Sequence, residues 1–246
     1  MAARPRDYVR VAGPDAEAFL QRMLSNDVAT APCRALLLTP KSRVIAPVVI
    51  LRRAGDDFLL LTEPGLGDAV ASTLVRARFA AKVEIEPEEH SSVVVFGEQE
   101  GIPNPEFGEA SSELLDADVE PTLSAEELEQ LRIEAGMPAW GKEIDDTILP
   151  AEAGLDETHI SFTKGCYPGQ EPIARLRNRG KVNRRLRVLE VEGARPGDEI
   201  RVGDKVVGRV TSAGGNRALG YVRVEVPKEA ELEVGIDRKT GRTRTA

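Results

Sequence analysis

The sequence predicts an α+β protein whose last third closes into a small antiparallel β-barrel, and three observations carry that prediction. Strand-like and helix-like periodicities alternate through the first ~180 residues. From Val182 onward, short alternating apolar strands recur, separated by glycines and polar turns. No fixed-period repeat, which would indicate a solenoid or propeller, runs through the chain. The expected division is an α+β region over residues 1–180, in two discontinuous lobes, followed by a barrel over 181–246.

Taken in order, Tyr8–Val11 reads as a first strand. Asp15 is placed to cap a helix running to about Ser25, with Ala18, Phe19, Arg22 and Met23 at helical spacing. Ala35–Thr39 and Val44–Leu51 form a hairpin around the turn Pro40-Lys41-Ser42-Arg43, and Phe58–Leu61 follows the turn at Gly55. A helix is expected from Gly67 to Ala81, then strands at Val83–Ile85 and Val93–Phe96. Residues 98–122, rich in acids, glycine and proline, read as a long exposed connection with a short strand near Leu114. Ser124 and Glu127 spell a capping box for a helix Ala125–Ala135, with Gly136 as its left-handed stop. Residues 137–163 show no period, and a helix opens at Gln170. The barrel strands are expected at Leu186–Val191, Glu199–Val202, Val206–Thr211, Ala218–Val226 and Ala230–Val234, five or six in all.

At 246 residues and 41% hydrophobic content the chain is long enough for one large core or two smaller ones. No apolar stretch approaches the ~20 residues that cross a bilayer. The N-terminus lacks the apolar run of a secretory signal, so a cytoplasmic location is expected. Two cysteines make no disulfide framework, and two cysteines with two histidines fall short of a four-ligand metal site. The net charge of −8 divides into −16 over residues 1–163 and +8 over 164–246. Between Val83 and Glu134, Arg132 is the one basic residue among 16 acids. Such a chain is not a general nucleic-acid binder. Its C-terminal third offers either a local anion-binding patch or a solvated basic face.

Lys164-Gly165-Cys166-Tyr167-Pro168-Gly169-Gln170-Glu171 is the most informative segment. It sets a cysteine between glycines, beside a lysine, and just before the basic run Arg175–Arg187. A free thiol is only a few per cent thiolate at pH 7, and nearby positive charge raises that fraction. Cys166 therefore reads either as a reactive thiol assisted by Lys164 or as an inert cysteine in a tight turn. Cys33 reads as packing and His159 as a locally satisfied histidine. Trp140 lines a ring pocket or staples a loop. No Walker loop or GxGxxG fingerprint appears.

These residues resemble a known family. Arg132-Ile133-Glu134-Ala135-Gly136-Met137-Pro138, then Gly141-Lys142-Glu143-Ile144, Pro150 and the octet at 164–171 are similar to the YgfZ-type folate-binding proteins, relatives of the glycine-cleavage T-protein (aminomethyltransferase). Gly13-Pro14-Asp15-Ala16, Ser25-Asn26-Asp27-Val28 and Gly208–Ser212 fit the same pattern in the same order. The resemblance implies a T-protein-like cloverleaf of α+β lobes around a central hole, closed by a C-terminal antiparallel β-barrel. It implies tetrahydrofolate, or a derivative, as cofactor and iron–sulfur client or assembly proteins as partners, with no membrane and no direct nucleic-acid partner. Effects on tRNA modification then follow indirectly. Carried over residue by residue, it implies that Asn26, Asp27, Glu134, Trp140, Gln170, Glu171, Arg175 and Arg185 serve the cofactor, with Lys164 and Cys166 at the reactive position. Glu134 would accept the paired N–H groups of the pterin edge, and Arg175 with the arginines at 184–185 would meet the glutamate carboxylates.

One departure separates the relatives. The T-protein carries an acidic pair in the strand after the first hairpin turn, where this chain has Ala46-Pro47. Losing a general acid–base group costs roughly 10²–10⁴-fold in rate. An accessory folate-binding role is therefore expected ahead of aminomethyl transfer, the alternative. Ser42 is a second departure, standing where the family has glycine.

Overall fold

Strands β1 (Ala2–Ala3) and β2 (Asp7–Ala12) lead into helix α1 (Ala16–Met23); β3 (Cys33–Leu38), β4 (Val44–Ala54) and β5 (Asp57–Thr62) follow, then helix α2 (Gly67–Ala77) and β6 (Glu84–Glu88). In this computed structural model, which describes residues 1–97, 101–108, 110–235 and 239–243, they form an antiparallel sheet in the order β3-β4-β5-β2-β6. Its packing follows from strand alternation. Val9, Val11, Phe58 and Leu60 point to the helices and meet Phe19, Leu20, Val70 and Leu74. Tyr8, Leu59 and Leu61 point the other way, onto Val49 and Ile102. The unbroken apolar run Phe58–Leu61 is thus a strand covered on both faces.

Two expectations for this lobe are corrected. Asp15 precedes α1 but makes no side-chain cap; its carboxylate instead accepts the Lys82 amide (2.8 Å) and pins the chain after α2. The second helix stops at Ala77, not Ala81, because Phe79 turns left-handed (φ 45°) and the chain doubles back to that contact.

The second lobe holds β7 (Ser92–Phe96), β8 (Ile102–Pro103) and β9 (Ser111–Leu115), joined by β1 in the order β1-β7-β9-β8. Helix α3 (Ala125–Ala135) has the Ser124/Glu127 capping box and the left-handed Gly136 stop. It lays Leu128 on Ala2, Val94 and Phe107. The stretch read as an exposed connection is therefore largely structure: Ile102, Asn104, Phe107, Ser111 and Glu113 are buried. Its polarity misleads because Asn104 and Glu113 are buried with partners, Arg34 and Arg6. Residues 98–100 and 109 of that stretch lie outside the described residues.

After an irregular segment and helix α4 (Gln170–Arg179), strands β10 (Arg184–Glu190), β11 (Glu199–Val202), β12 (Lys205–Gly214), β13 (Arg217–Arg223), β14 (Leu232–Val234) and β15 (Lys239–Thr243) close a barrel in the order β10-β13-β12-β11-β14-β15. Leu189, Ile200, Val210, Val222, Leu232 and Val234 fill it. The architecture is the α+β cloverleaf with a closed C-terminal antiparallel barrel. Among the described residues no helix is long and apolar enough to cross a membrane.

Candidate functional site

The octet at 164–171 is clamped at both ends. The Lys164 ammonium donates to the carbonyls of Leu24 (2.7 Å) and Asn26 (2.8 Å) and lies 5.5 Å from the Tyr167 ring centroid. Burial pushes its amine down to about 8, against the opposing pull of Asp27. Tyr167 is buried, and burial pushes its phenol up to about 12. Gly169 sits at φ +84°, where a Cβ would lie 2.7 Å from the Thr39 carbonyl oxygen, so only glycine permits this approach to the first hairpin turn. Ser42 occupies that turn at φ 61° and donates its buried hydroxyl to the Gly169 carbonyl (2.6 Å). The serine that departs from the family pattern thus ties the two loops together. Between these anchors Gly165 and Cys166 are exposed.

The loop after α1 receives Lys164. Asn26 donates to the Arg34 carbonyl (2.7 Å), and Asp27 accepts from Gln21 (2.9 Å) and from the Ala29 amide (3.1 Å). Cys33 donates to the Asp27 carbonyl (3.4 Å), and burial raises its thiol. Lys164, Asn26 and Asp27, expected together from sequence, meet here through hydrogen bonds that leave Lys164 serving as a tether.

The other expected residues are dispersed. Glu134 is in the last turn of α3, part-exposed; one carboxylate oxygen accepts from Gln130 (3.2 Å), and its backbone carbonyl accepts from Arg217 (3.3 Å). Trp140 is half-buried against the cluster of Ile144, Tyr167 and Tyr221. Gln170, also half-buried, starts α4. Glu171 and Arg175 pair with each other (2.9 Å) on its solvent face. Arg185 is exposed at the wall of a cavity of about 420 Å³ between α4, residues 149–151 and the barrel. His159 is buried beside Arg34, and burial pushes its imidazole down to about 3. Among the described residues no group of three His, Cys, Asp or Glu side chains is placed to hold a metal ion. Ala46 is fully buried and Pro47 pairs with Leu36, so the strand carries no carboxylate there.

Sequence reasoning passed over a buried polar hub. Glu143 accepts from Arg132 (3.0 Å), Ser212 (2.6 Å) and the Ala139 amide (3.0 Å), and the Tyr221 hydroxyl donates to its carbonyl (2.7 Å). This hub joins the end of α3, the segment that follows it and two barrel strands. Its signal was available: Arg132 is the single basic residue in the acidic stretch from Val83 to Glu134.

Comparison with known proteins places this geometry in context. A family model described as "CAF17, C-terminal beta-barrel domain" matches residues 183–244. An uncharacterized protein of Haemophilus influenzae is 29% identical over 245 residues, covering 92% of this chain and 88% of that protein. A mitochondrial iron-sulfur cluster assembly factor IBA57 homolog of Neurospora crassa is 32% identical, covering 78% of this chain. An aminomethyltransferase of Nostoc sp. is 36% identical over 160 residues, 63% of this chain. The chain spans 54% of the Neurospora factor's length and 40% of the Nostoc enzyme's. Among solved structures, the glycine cleavage system aminomethyltransferase T of Bartonella henselae superposes with a TM-score of 0.79, covering 98% of this chain and 83% of that one. At 19% identity that likeness is one of fold.

Proposed function

We propose that this chain, a homologue of the YgfZ- and IBA57-type proteins that share the aminomethyltransferase fold, is a tetrahydrofolate-binding accessory protein for the assembly or repair of iron–sulfur enzymes, with Cys166 as its working thiol. The observation that carries the reading is the clamped octet: Lys164, Tyr167 and Gly169 are each fixed to the first lobe, and the thiol between them faces solvent. A cysteine kept only to fill a core has no need of that frame. An exposed thiol on a fixed loop suits contact with a client protein.

The donor set fits a reduced folate. An aminopyrimidine edge presents parallel N–H donors, and Glu134 offers a part-exposed carboxylate with one weak internal partner. A glutamate tail needs cations, and Arg185 is an exposed guanidinium with no ion-pair partner among the described residues. A bound folate supplies a ring that carries one-carbon units; the residues here bind and orient it. Aminomethyl transfer is not expected, because the strand position at Ala46-Pro47 has no proton donor or acceptor.

Titration calorimetry with tetrahydrofolate should show binding in the micromolar range or tighter, about −8 kcal/mol or more favourable. Glu134→Gln should weaken it by at least tenfold. Absence of both heat and thermal shift with reduced folates would remove the reading. Cys166→Ala should keep the folate affinity yet fail to complement a strain lacking its homologue; full rescue would reduce the thiol to a bystander.

A further inference from the structure

We infer that the cavity between α4 and the barrel is a second ligand site, shaped for a small amphipathic anion that carries one hydrogen-bond donor. The walls are apolar: Leu149, Phe162, Ile173, Leu176, Val182 and Val224 line a space of about 420 Å³. That is within the range of roughly 300–1,000 Å³ typical of small-molecule pockets. An empty apolar cleft of this size is easily wetted, so the polar groups decide what it prefers.

Those groups have an unusual balance. Arg177, Lys181 and Arg185 all border the space, and among the described residues none of the three has an ion-pair partner. The Arg177 guanidinium lies flat against Phe162, 3.7 Å from the ring centroid, which fixes it without using its N–H donors. Against these three cations stands one carboxylate, Asp156. Its Oδ1 is buried and has no hydrogen-bond partner. A buried acceptor left unpaired costs about 1–3 kcal/mol, more for a charged one. A ligand N–H or O–H beside Asp156 offsets that cost, and an anionic group on the same ligand meets Arg177 and Lys181.

The cavity is separate from the Glu134 position. Arg217, which holds the Glu134 carbonyl, opens β13, whereas Val224 lies just beyond its far end. Seven residues of strand put these points roughly 24 Å apart. Arg185, paired with Val222, stands on the cavity rim nearest the barrel, and the test below leaves it unchanged.

Anilinonaphthalene sulfonate is a suitable probe, since it joins fused rings, one N–H and a sulfonate. Fluorescence titration of the native full chain should give saturable one-to-one binding. The double variant Arg177→Gln/Lys181→Gln should weaken it at least tenfold with an unchanged melting temperature, because both side chains are exposed. The preference for this probe over naphthalene sulfonate, which lacks the N–H, should fall at least threefold in Asp156→Leu. A purely structural Asp156 would instead show itself as a lowered melting temperature and an unchanged preference. Excess tetrahydrofolate should leave the probe bound. Displacement by tetrahydrofolate, indifference to the double variant, or absence of stoichiometric binding would each overturn the second site. None of these bears on whether folate itself binds, which calorimetry reads separately.

Discussion

Glu143→Ala is expected to remove about 3–5 kcal/mol of folding free energy, because it strands a guanidinium inside the protein. Glu143 and Arg132 are 1% and 5% exposed. Arg132 also donates to Glu129 (2.6 Å), to Ser212 (2.9 Å) and to the Met137 carbonyl. Without Glu143, one face of that cation loses its counter-charge, Ser212 loses an acceptor and the Ala139 amide is left unpaired. Water cannot replace them cheaply at such burial. Since domains are stable by only about 5–15 kcal/mol, the variant should be visibly cooperative yet weak in urea. The same change should loosen Glu134, two residues from Arg132 on α3, and so weaken folate binding more than a distant surface substitution does. Glu143→Gln keeps the shape and should cost less, about 1–3 kcal/mol. Urea melts showing under 1 kcal/mol for the alanine variant would mean that Arg132 finds solvent or Glu129 instead.

What was legible in the sequence was whatever obeys a period or a local rule. The helix α3 could be read end to end because its cap, its partner at the third position and its terminal glycine are each local signals. The barrel was legible because small strands alternate and turns carry glycine; its last strand, Lys239–Thr243, was missed because it lacks apolar alternation. Buried polar pairing was not legible. Asn104, Glu113, Arg132 and Glu143 are hidden by partners between 9 and 107 residues away, and spacing says nothing about such distances. The cavity belongs to the same class. Asp156 and Arg177 look like ordinary surface charges until the fold places them beside Phe162. The octet was legible as special, but its glycine, tyrosine and lysine turned out to build the frame around Cys166.

Acid should open the joint between the two lobes, and Glu106 should be where it begins. Arg4 and Arg6, on the link between β1 and β2, and Arg34 on β3 meet Glu63, after β5, and Glu106 and Glu113 from the second lobe. Glu106 lies 3.0 Å from Arg4, 3.2 Å from Arg6 and 3.4 Å from Arg34. Burial pushes its carboxyl up, but the three guanidinium groups together outweigh burial and hold it well below the usual carboxylate range. A carboxyl depressed in the folded state contributes stability that is complete above its unfolded value, near 4.3, and is lost as pH falls through the folded value. Glu106→Gln should therefore cost about 3–5 kcal/mol at pH 7, leaving three cations facing two carboxylates. The gap between wild type and variant should narrow steadily below about pH 4 as the native carboxylate takes up its proton. Thermal unfolding from pH 7 to pH 2.5 reads both quantities in one series. A gap that stays constant to the lowest pH would mean Glu106 carries little of the joint, and that Glu113, bidentate on Arg6 and bonded by Ser92 and Asn104, holds the lobes together by itself.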